Sequence, residues 1–343
     1  MITTVSEALG RAADMIRRAR SVALACHISP DGDALGSMLA LHHLCRSQGI
    51  ESVASWPEPF VVAPHYTFLP GLDLCTKPAD FPAAPEVMVT FDCGSLARLG
   101  ELGTIAREAA GRGRLIVLDH HRSNDLYGAV NVVDPDAAAT AVVVRLLAER
   151  LGWPLTRDVA QCLYTGLVTD TGRFQYEATT PAVFALAGEL ASFELPIATM
   201  SRQLFEEHTF DYLQLIATCL GRAVLDREIG LVSTCVTADD LVDHGVTIDE
   251  TEGLIDIVRR AREAEVSCVL KETPEGVRVS MRSVGAIDVG AIAVGFGGGG
   301  HAYASGWTAP GSVDVVLAQI RSAVGQLRSA AESGSGGLSA GPA

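Results

Sequence analysis

Asp119-His120-His121 follows directly on the apolar run Leu115-Ile116-Val117-Leu118. His27-x-x-x-Asp31-x-Asp33 follows Val22-Ala23-Leu24-Ala25, and Asp92 ends the run Val87-Met88-Val89-Thr90-Phe91. Three apolar strands that each end in His or Asp predict one rim of metal ligands, because open α/β sheets gather function at the carboxyl ends of their strands. With Asp170, the set His27, Asp31, Asp33, Asp92 and His120 offers two imidazoles and four carboxylates. That mix has too much oxygen for a structural zinc and too much imidazole for calcium or magnesium alone. Manganese, iron(II), cobalt or catalytic zinc suits it, manganese first. Six groups exceed what one open catalytic ion needs, whereas two ions roughly 3.5–4 Å apart use them economically. Asp92, alone at a central strand end, is then the natural shared ligand. Taken singly, Asp31 and Asp33 also suit a helix cap, and His120 a satisfied core histidine.

The elements that must position these side chains alternate. Residues 6–18 predict a helix, 22–25 a strand, 34–48 a helix and 51–55 a strand. The Pro-rich stretch 56–85 is irregular. Strand 87–91, helix 96–110, strand 114–118, helix 138–151 and helix 157–169 follow, with Gly172 as a helix stop. This pattern predicts an α/β fold with a mostly parallel, doubly wound sheet covered on both faces. Residues 181–227 read as helix broken at Pro196, a connector. Then come strand 230–236, helix 250–262, and β runs 265–271 and 277–282 with Glu275-Gly276 as the hairpin turn. A glycine run, 297–300, precedes His301, and helix 313–331 closes a smaller C-terminal α/β domain. The expected boundaries are 1–185 for the catalytic domain, 186–228 for the helical linker and 229–331 for the second domain. Residues 332–343 form a Ser/Gly/Pro-rich tail expected to be disordered.

The 343 residues are too many for one ordinary core, and a 48% hydrophobic fraction fills two. No run approaches the roughly 18 apolar residues of a membrane helix. The N-terminal pattern is an amphipathic helix with acidic residues rather than a secretory signal, so the expected location is cytoplasmic. The eight cysteines lie singly, with no C-x-x-C pair, as reduced buried hydrophobes would. A net charge of −15, no basic run and only two lysines, Lys77 and Lys271, exclude a protein that grips long duplex nucleic acid. They favour a small anion in a local pocket. Gly298, Gly299 and Gly300 let backbone N–H groups approach such an anion, His301 adds a donor, and Arg282 has the planar fork that phosphate takes. His42, His43, His65, His208 and His244 lack acidic company and read as packing or surface residues.

Together these residues resemble the DHH–DHHA1 phosphoesterase family. The motifs are His27-Ile28-Ser29-Pro30-Asp31-Gly32-Asp33, Phe91-Asp92-Cys93-Gly94, Asp119-His120-His121 and Thr169-Asp170-Thr171-Gly172, then Ser280-Met281-Arg282-Ser283 and the glycine run with His301 and Ala304-Ser305-Gly306. The resemblance covers nearly the whole chain apart from the tail. It implies that His27, Asp31 and Asp92 hold one divalent cation and Asp33, Asp92, His120 and Asp170 the other, with manganese expected and magnesium or cobalt as alternatives. It implies that His121 touches the substrate phosphate and Asp119 orients the histidines, while Arg282 and His301 hold the substrate's far end. It also implies a homodimer through the N-terminal domain. Ser305 departs from the alanine often found there, and its hydroxyl is expected to adjust substrate choice.

Within the family, size and layout are similar to the nanoRNases, which act on short RNA or DNA oligonucleotides and dephosphorylate 3′-phosphoadenosine 5′-phosphate. A cyclic-dinucleotide phosphodiesterase is the near alternative. A pyrophosphatase would need a basic C-terminal cluster and a processive exonuclease a basic channel, and neither is present. A nucleotide sensor that does not cut would lack a metal ligand, and no ligand position is missing.

Overall fold

The computed structural model describes residues 4–335, in two compact units that divide between Glu207 and His208. The first unit begins with α1 (Val5–Arg18), fixed at its start by a capping box between Thr4 and Glu7. There follow β1 (Ser21–Cys26), α2 (Gly32–Ser47), β2 (Glu51–Ser55), β3 (Val87–Phe91), α3 (Leu102–Gly111), β4 (Leu115–Asp119) and β5 (Val130–Val133). Helices α4 (Thr140–Leu151), α5 (Arg157–Asp170), α6 (Pro181–Ala191) and α7 (Ile197–Phe205) complete it. The five strands are all parallel, in the order β2-β1-β3-β4-β5. Alternate side chains feed two cores. Leu24, Val89, Phe91, Ile116 and Leu118 meet buried residues of α1, α2, α4 and α5, while Ala23, Ala25, Met88, Leu115 and Val117 meet those of α3. The expected mostly parallel, doubly wound sheet is what forms. Its order reverses between β1 and β3, the point at which sheets of this kind open a crevice for ligands. His27 follows one of those strands and Asp92 the other.

The second unit holds α8 (Phe210–Gly221), β6 (Val224–Asp226), β7 (Leu231–Val236), α9 (Ala238–His244), α10 (Leu254–Val258), β8 (Val266–Thr273), β9 (Gly276–Ser283), α11 (Val289–Gly295), β10 (Gly299–His301), β11 (Ala304–Ala309) and α12 (Val313–Ser335). Its six strands run β10-β11-β9-β8-β7-β6, antiparallel except for β7 with β8. Among the described residues no helix is long and apolar enough to cross a membrane, and all eight cysteines are free.

Several boundaries differ from those expected. The helix expected over 96–110 breaks at Gly100, whose φ of 49° lies in the left-handed region, and α3 starts after it. The expected 181–227 helix is three helices and a short strand, and 186–228 falls partly in each unit. The helix expected over 250–262 shrinks to a 3-10 turn and the short α10. The β8–β9 register pairs Thr273 with Gly276, so Pro274-Glu275 makes the turn rather than Glu275-Gly276. Strands β5, β6, β10 and β11 and helices α9 and α11 are too short for periodicity to reveal. Helix α12 continues through Ser335, into the stretch expected to be disordered, and the remainder of that stretch lies outside the described residues.

Helices α2 and α5 pack through glycine. A Cβ at Gly36 would lie 2.4 Å from the Cys162 carbonyl oxygen, and one at Gly166 would lie 2.6 Å from Asp33 Oδ1. A backbone carbonyl cannot swing aside as a side chain does. Gly36→Ala is therefore expected to lower stability by about 1–3 kcal/mol, read as a shift in the chemical-denaturation midpoint. An unchanged midpoint would contradict this packing.

Candidate metal centre

The loop after β1 turns through Ser29, at φ 49°, and delivers Asp31 to the start of α2. Asp31 Oδ1 accepts the backbone N–H groups of Asp33 and Ala34, at 3.1 and 3.0 Å. Its Oδ2 lies 3.8 Å from His27 Nε2. The cap and the ligand readings therefore both hold, one oxygen each. Asp33 also caps, but a different helix. Ala139, at the N-cap position of α4, has no side chain to offer, and Asp33 accepts from Thr140 N at 2.5 Å and Ala141 N at 2.9 Å. Ser37 Oγ donates to it as well.

Asp92 lies at φ 52°, a left-handed conformation that Asp tolerates better than most residues. Its N–H donates to the Leu118 carbonyl and extends the β3–β4 ladder by one residue. Its two oxygens face opposite ways. Oδ2 is 3.6 Å from His27 Nε2, and Oδ1 is 3.6 Å from His120 Nε2. Asp119, fully buried, accepts on Oδ1 from His120 N, His121 N and His121 Nδ1, at 2.7, 3.0 and 2.7 Å, and on Oδ2 from Asn124 Nδ2 at 2.6 Å. His120 Nδ1 lies 3.1 Å from the Ala137 carbonyl. Its Nε2 lies 3.1 Å from Asp170 Oδ2 and 3.9 Å from Asp33 Oδ2.

All eight expected residues of the first unit thus converge. His27 with Asp31 and Asp92, and Asp33 with Asp92 and His120, are two groups able to hold a cation, and they share Asp92. His27 Nε2 is buried without a hydrogen-bond partner, as a nitrogen kept for a metal would be. The imidazole–carboxylate gaps of 3.6–3.9 Å are too long for hydrogen bonds and near the separation of two ligands on one ion. The donor set fits a divalent pair.

Charge balance tells the same story. Burial pushes His120 down, but Asp170, Asp92 and Asp33 outweigh it and raise its pKa to about 10. Burial and Arg98 likewise lower His27, and Asp31 and Asp92 reverse that. Burial raises Asp33 well above the usual carboxylate range, with Asp92 and Asp170 adding to it. Burial also acts to raise Asp92, yet His121, His27 and His120 hold it well below that range. Without metal, protons on the histidines balance the carboxylates.

In the second unit Arg282 stands opposite Ala304, and His301 stands opposite Ala304 from the other side. Directly paired residues share a sheet face, so Arg282 and His301 lie in one row on one face. Arg282 Nε is buried without a hydrogen-bond partner. The glycine run is only partly a loop, because Gly299 and Gly300 belong to β10. A Cβ at Gly298 or Gly300 would lie 2.4 Å from a β11 carbonyl, so those two glycines serve strand pairing. The expectation for Ser305 does not survive. Its buried hydroxyl donates to the Val289 carbonyl at 2.7 Å and has none to spare for a substrate.

Four participants escape sequence reasoning. Asn124 holds Asp119, the Ala137 carbonyl faces His120, Thr140 Oγ1 donates to Asp92 Oδ1 at 3.0 Å, and Arg98 Nη2 lies 3.0 Å from His27 Nδ1. Only Asn124, five residues beyond Asp119, lies close enough in the chain to invite suspicion. Of the other histidines, His42 is buried on Ser52 Oγ, and burial, with His43 and Arg46, lowers its pKa to about 4. It is a neutral packing group.

The His120 shift fixes a pH dependence. A raised pKa means that metal-free protein carries this proton at neutral pH, and Nε2 must release it to become a ligand. Divalent-ion affinity is therefore expected to rise with pH by about tenfold per unit for each proton released between pH 6 and 8. Calorimetry in buffers of different ionisation enthalpy should count at least one proton leaving. Affinity independent of pH would contradict the charge balance described.

Comparison with known proteins agrees with this site. Residues 21–167 match the DHH family, N-terminal domain, and residues 230–329 match the DHHA1 domain. The bifunctional oligoribonuclease and PAP phosphatase NrnA of Thermus thermophilus is 32% identical over 84% of this chain and 84% of its own. The protein of the same name from Bacillus subtilis is 27% identical over 82% of this chain and 86% of its own. A crystal structure of an exopolyphosphatase-related protein from Bacteroides fragilis shares the fold at a TM-score of 0.84, with 24% identity over 94% of this chain and 96% of that one. With both family domains matched in order and a relative at this identity along most of its length, the chain belongs to the DHH–DHHA1 phosphoesterase family and is a metal-dependent hydrolase.

Proposed function

We propose that this protein is a manganese-dependent phosphoesterase that cuts short oligonucleotides, dinucleotides above all, to mononucleotides and removes the 3′-phosphate of 3′-phosphoadenosine 5′-phosphate. The observation that carries the reading is Asp92 reaching His27 with one oxygen and His120 with the other. The two relatives named above support the substrate class by their names. The ions, held by His27, Asp31, Asp33, Asp92, His120 and Asp170, would activate water and offset charge on the phosphoryl group. The chain's own residues do the rest. Asp119 takes the Nδ1 proton of His121, so the other edge of that ring meets a phosphoryl oxygen. Burial acts to lower the His121 pKa, but Asp92 and Asp119 raise it well above the usual histidine value, so the ring donates as a cation. Arg282, Gly298, Gly299, Gly300 and His301 bind anionic groups of the nucleotide. A net charge of −15 confines binding to such local pockets and disfavours long polymers.

The test is one assay with manganese on five substrates: a dinucleotide, a longer RNA, 3′-phosphoadenosine 5′-phosphate, a cyclic dinucleotide and pyrophosphate. Turnover is expected to be fastest on the dinucleotide and the bisphosphate nucleotide. Equal turnover of long RNA would contradict the reading, and a dominant cyclic-dinucleotide activity would replace it. Asp92→Ala is expected to lose at least about 10³-fold in kcat/KM while its circular dichroism stays native. Near-normal activity in that variant would refute the site.

A further inference from the structure

We propose that Arg98 is a phosphoryl-binding residue of the metal centre, its guanidinium held beside His27 at the solvent edge of the carboxylate cluster and taking an oxygen of the nucleotide phosphoester. The inference rests on the phosphoesterase reading above and adds a residue to it. Arg98 follows β3 in a short 3-10 turn, six residues beyond Asp92. Its Nη2 lies 3.0 Å from His27 Nδ1, yet the residue is exposed and makes no ion pair with a carboxylate among the described residues. Elsewhere in this unit Arg145 pairs with Glu189 and Arg17 with Asp14. An arginine that declines such pairing beside an acidic pocket has its charge available.

Its structural tasks are already covered. The loop that carries His27 is tied to this turn by backbone alone, through Ile28 N–H and the Arg98 carbonyl at 2.9 Å. The His27 ring is oriented by the Ile28 carbonyl, 2.8 Å from Nδ1. Neither contact needs the guanidinium. Five carboxylates line the centre: Asp31, Asp33, Asp92, Asp119 and Asp170. Two divalent ions offset four of those charges, which leaves the pocket one negative charge in excess when an anionic phosphoester arrives. Arg98 supplies the missing positive charge, with donors in the planar fork that fits phosphate oxygens.

The test compares Arg98→Ala, Arg98→Lys and, as a charge control on the exposed face of α3, Arg107→Ala. Calorimetry gives the dissociation constant of adenosine 5′-monophosphate on manganese-saturated protein and, separately, the affinity for manganese. Kinetics on a dinucleotide give kcat and KM. Arg98→Ala is expected to weaken adenosine 5′-monophosphate by about tenfold or more and kcat/KM by about 100-fold, with manganese affinity within about threefold of wild type. Arg98→Lys should recover part of the loss, since it keeps the charge without the fork, and Arg107→Ala should match wild type. Unchanged nucleotide affinity in Arg98→Ala would overturn the proposal. So would a loss that follows an equal loss of manganese affinity, because Arg98 would then act only through His27. Wild-type protein inactive on every nucleotide would instead sink the phosphoesterase reading, and the nucleotide-binding arm would still decide Arg98.

Discussion

Like charges crowded out of water repel strongly, and the first unit is organised around five aspartates brought to one pocket. Two unit charges 4 Å apart interact with about 4 kcal/mol at the effective dielectric of a protein interior near its surface. Such a pocket persists only where each carboxylate has hydrogen-bond donors and the group as a whole has counter-charge. The donors come from the fold itself: the N-terminus of α2 for Asp31, the N-terminus of α4 for Asp33, the Thr140 hydroxyl for Asp92, and His120, His121 and Asn124 for Asp119. Helix N-termini suit this work because their unpaired N–H groups and dipole favour negative charge.

Asp33 shows how tightly the site and the scaffold are joined. One side chain caps a helix that begins 107 residues later and points its outer oxygen toward His120. Gly166 lets α5 come close enough to hold it there. The catalytic rim is therefore also the seam along which α2, α4 and α5 meet. Damage to either is expected to be felt in both.

Much of this was legible in the sequence because its signals are local. An apolar run followed at once by His or Asp says both where a strand stops and what stands at its end. His27, Asp92 and Asp119-His120-His121 all follow that form, and the structure brings them together. What stayed hidden depends on contacts between distant segments. Nothing near Asp33 announces that Ala139 leaves a helix uncapped. Nothing near Arg98 announces His27, and Thr140 looks like any helix-starting threonine. In the second unit β10 and β11 are a few residues each, and their glycines pointed to an anion loop when pairing geometry also required them. Ser305 looked like a specificity determinant in sequence, yet the Val289 carbonyl claims its hydroxyl.

The central claim is that Asp92 is common to two cations. Electron paramagnetic resonance of the manganese-saturated protein reads this directly, because ions bridged by one carboxylate are magnetically coupled. The account predicts two manganese ions per chain with the signal of a coupled pair, replaced in Asp92→Ala by uncoupled or absent ions. A single ion per chain, or two with independent six-line spectra in the wild-type protein, would contradict it.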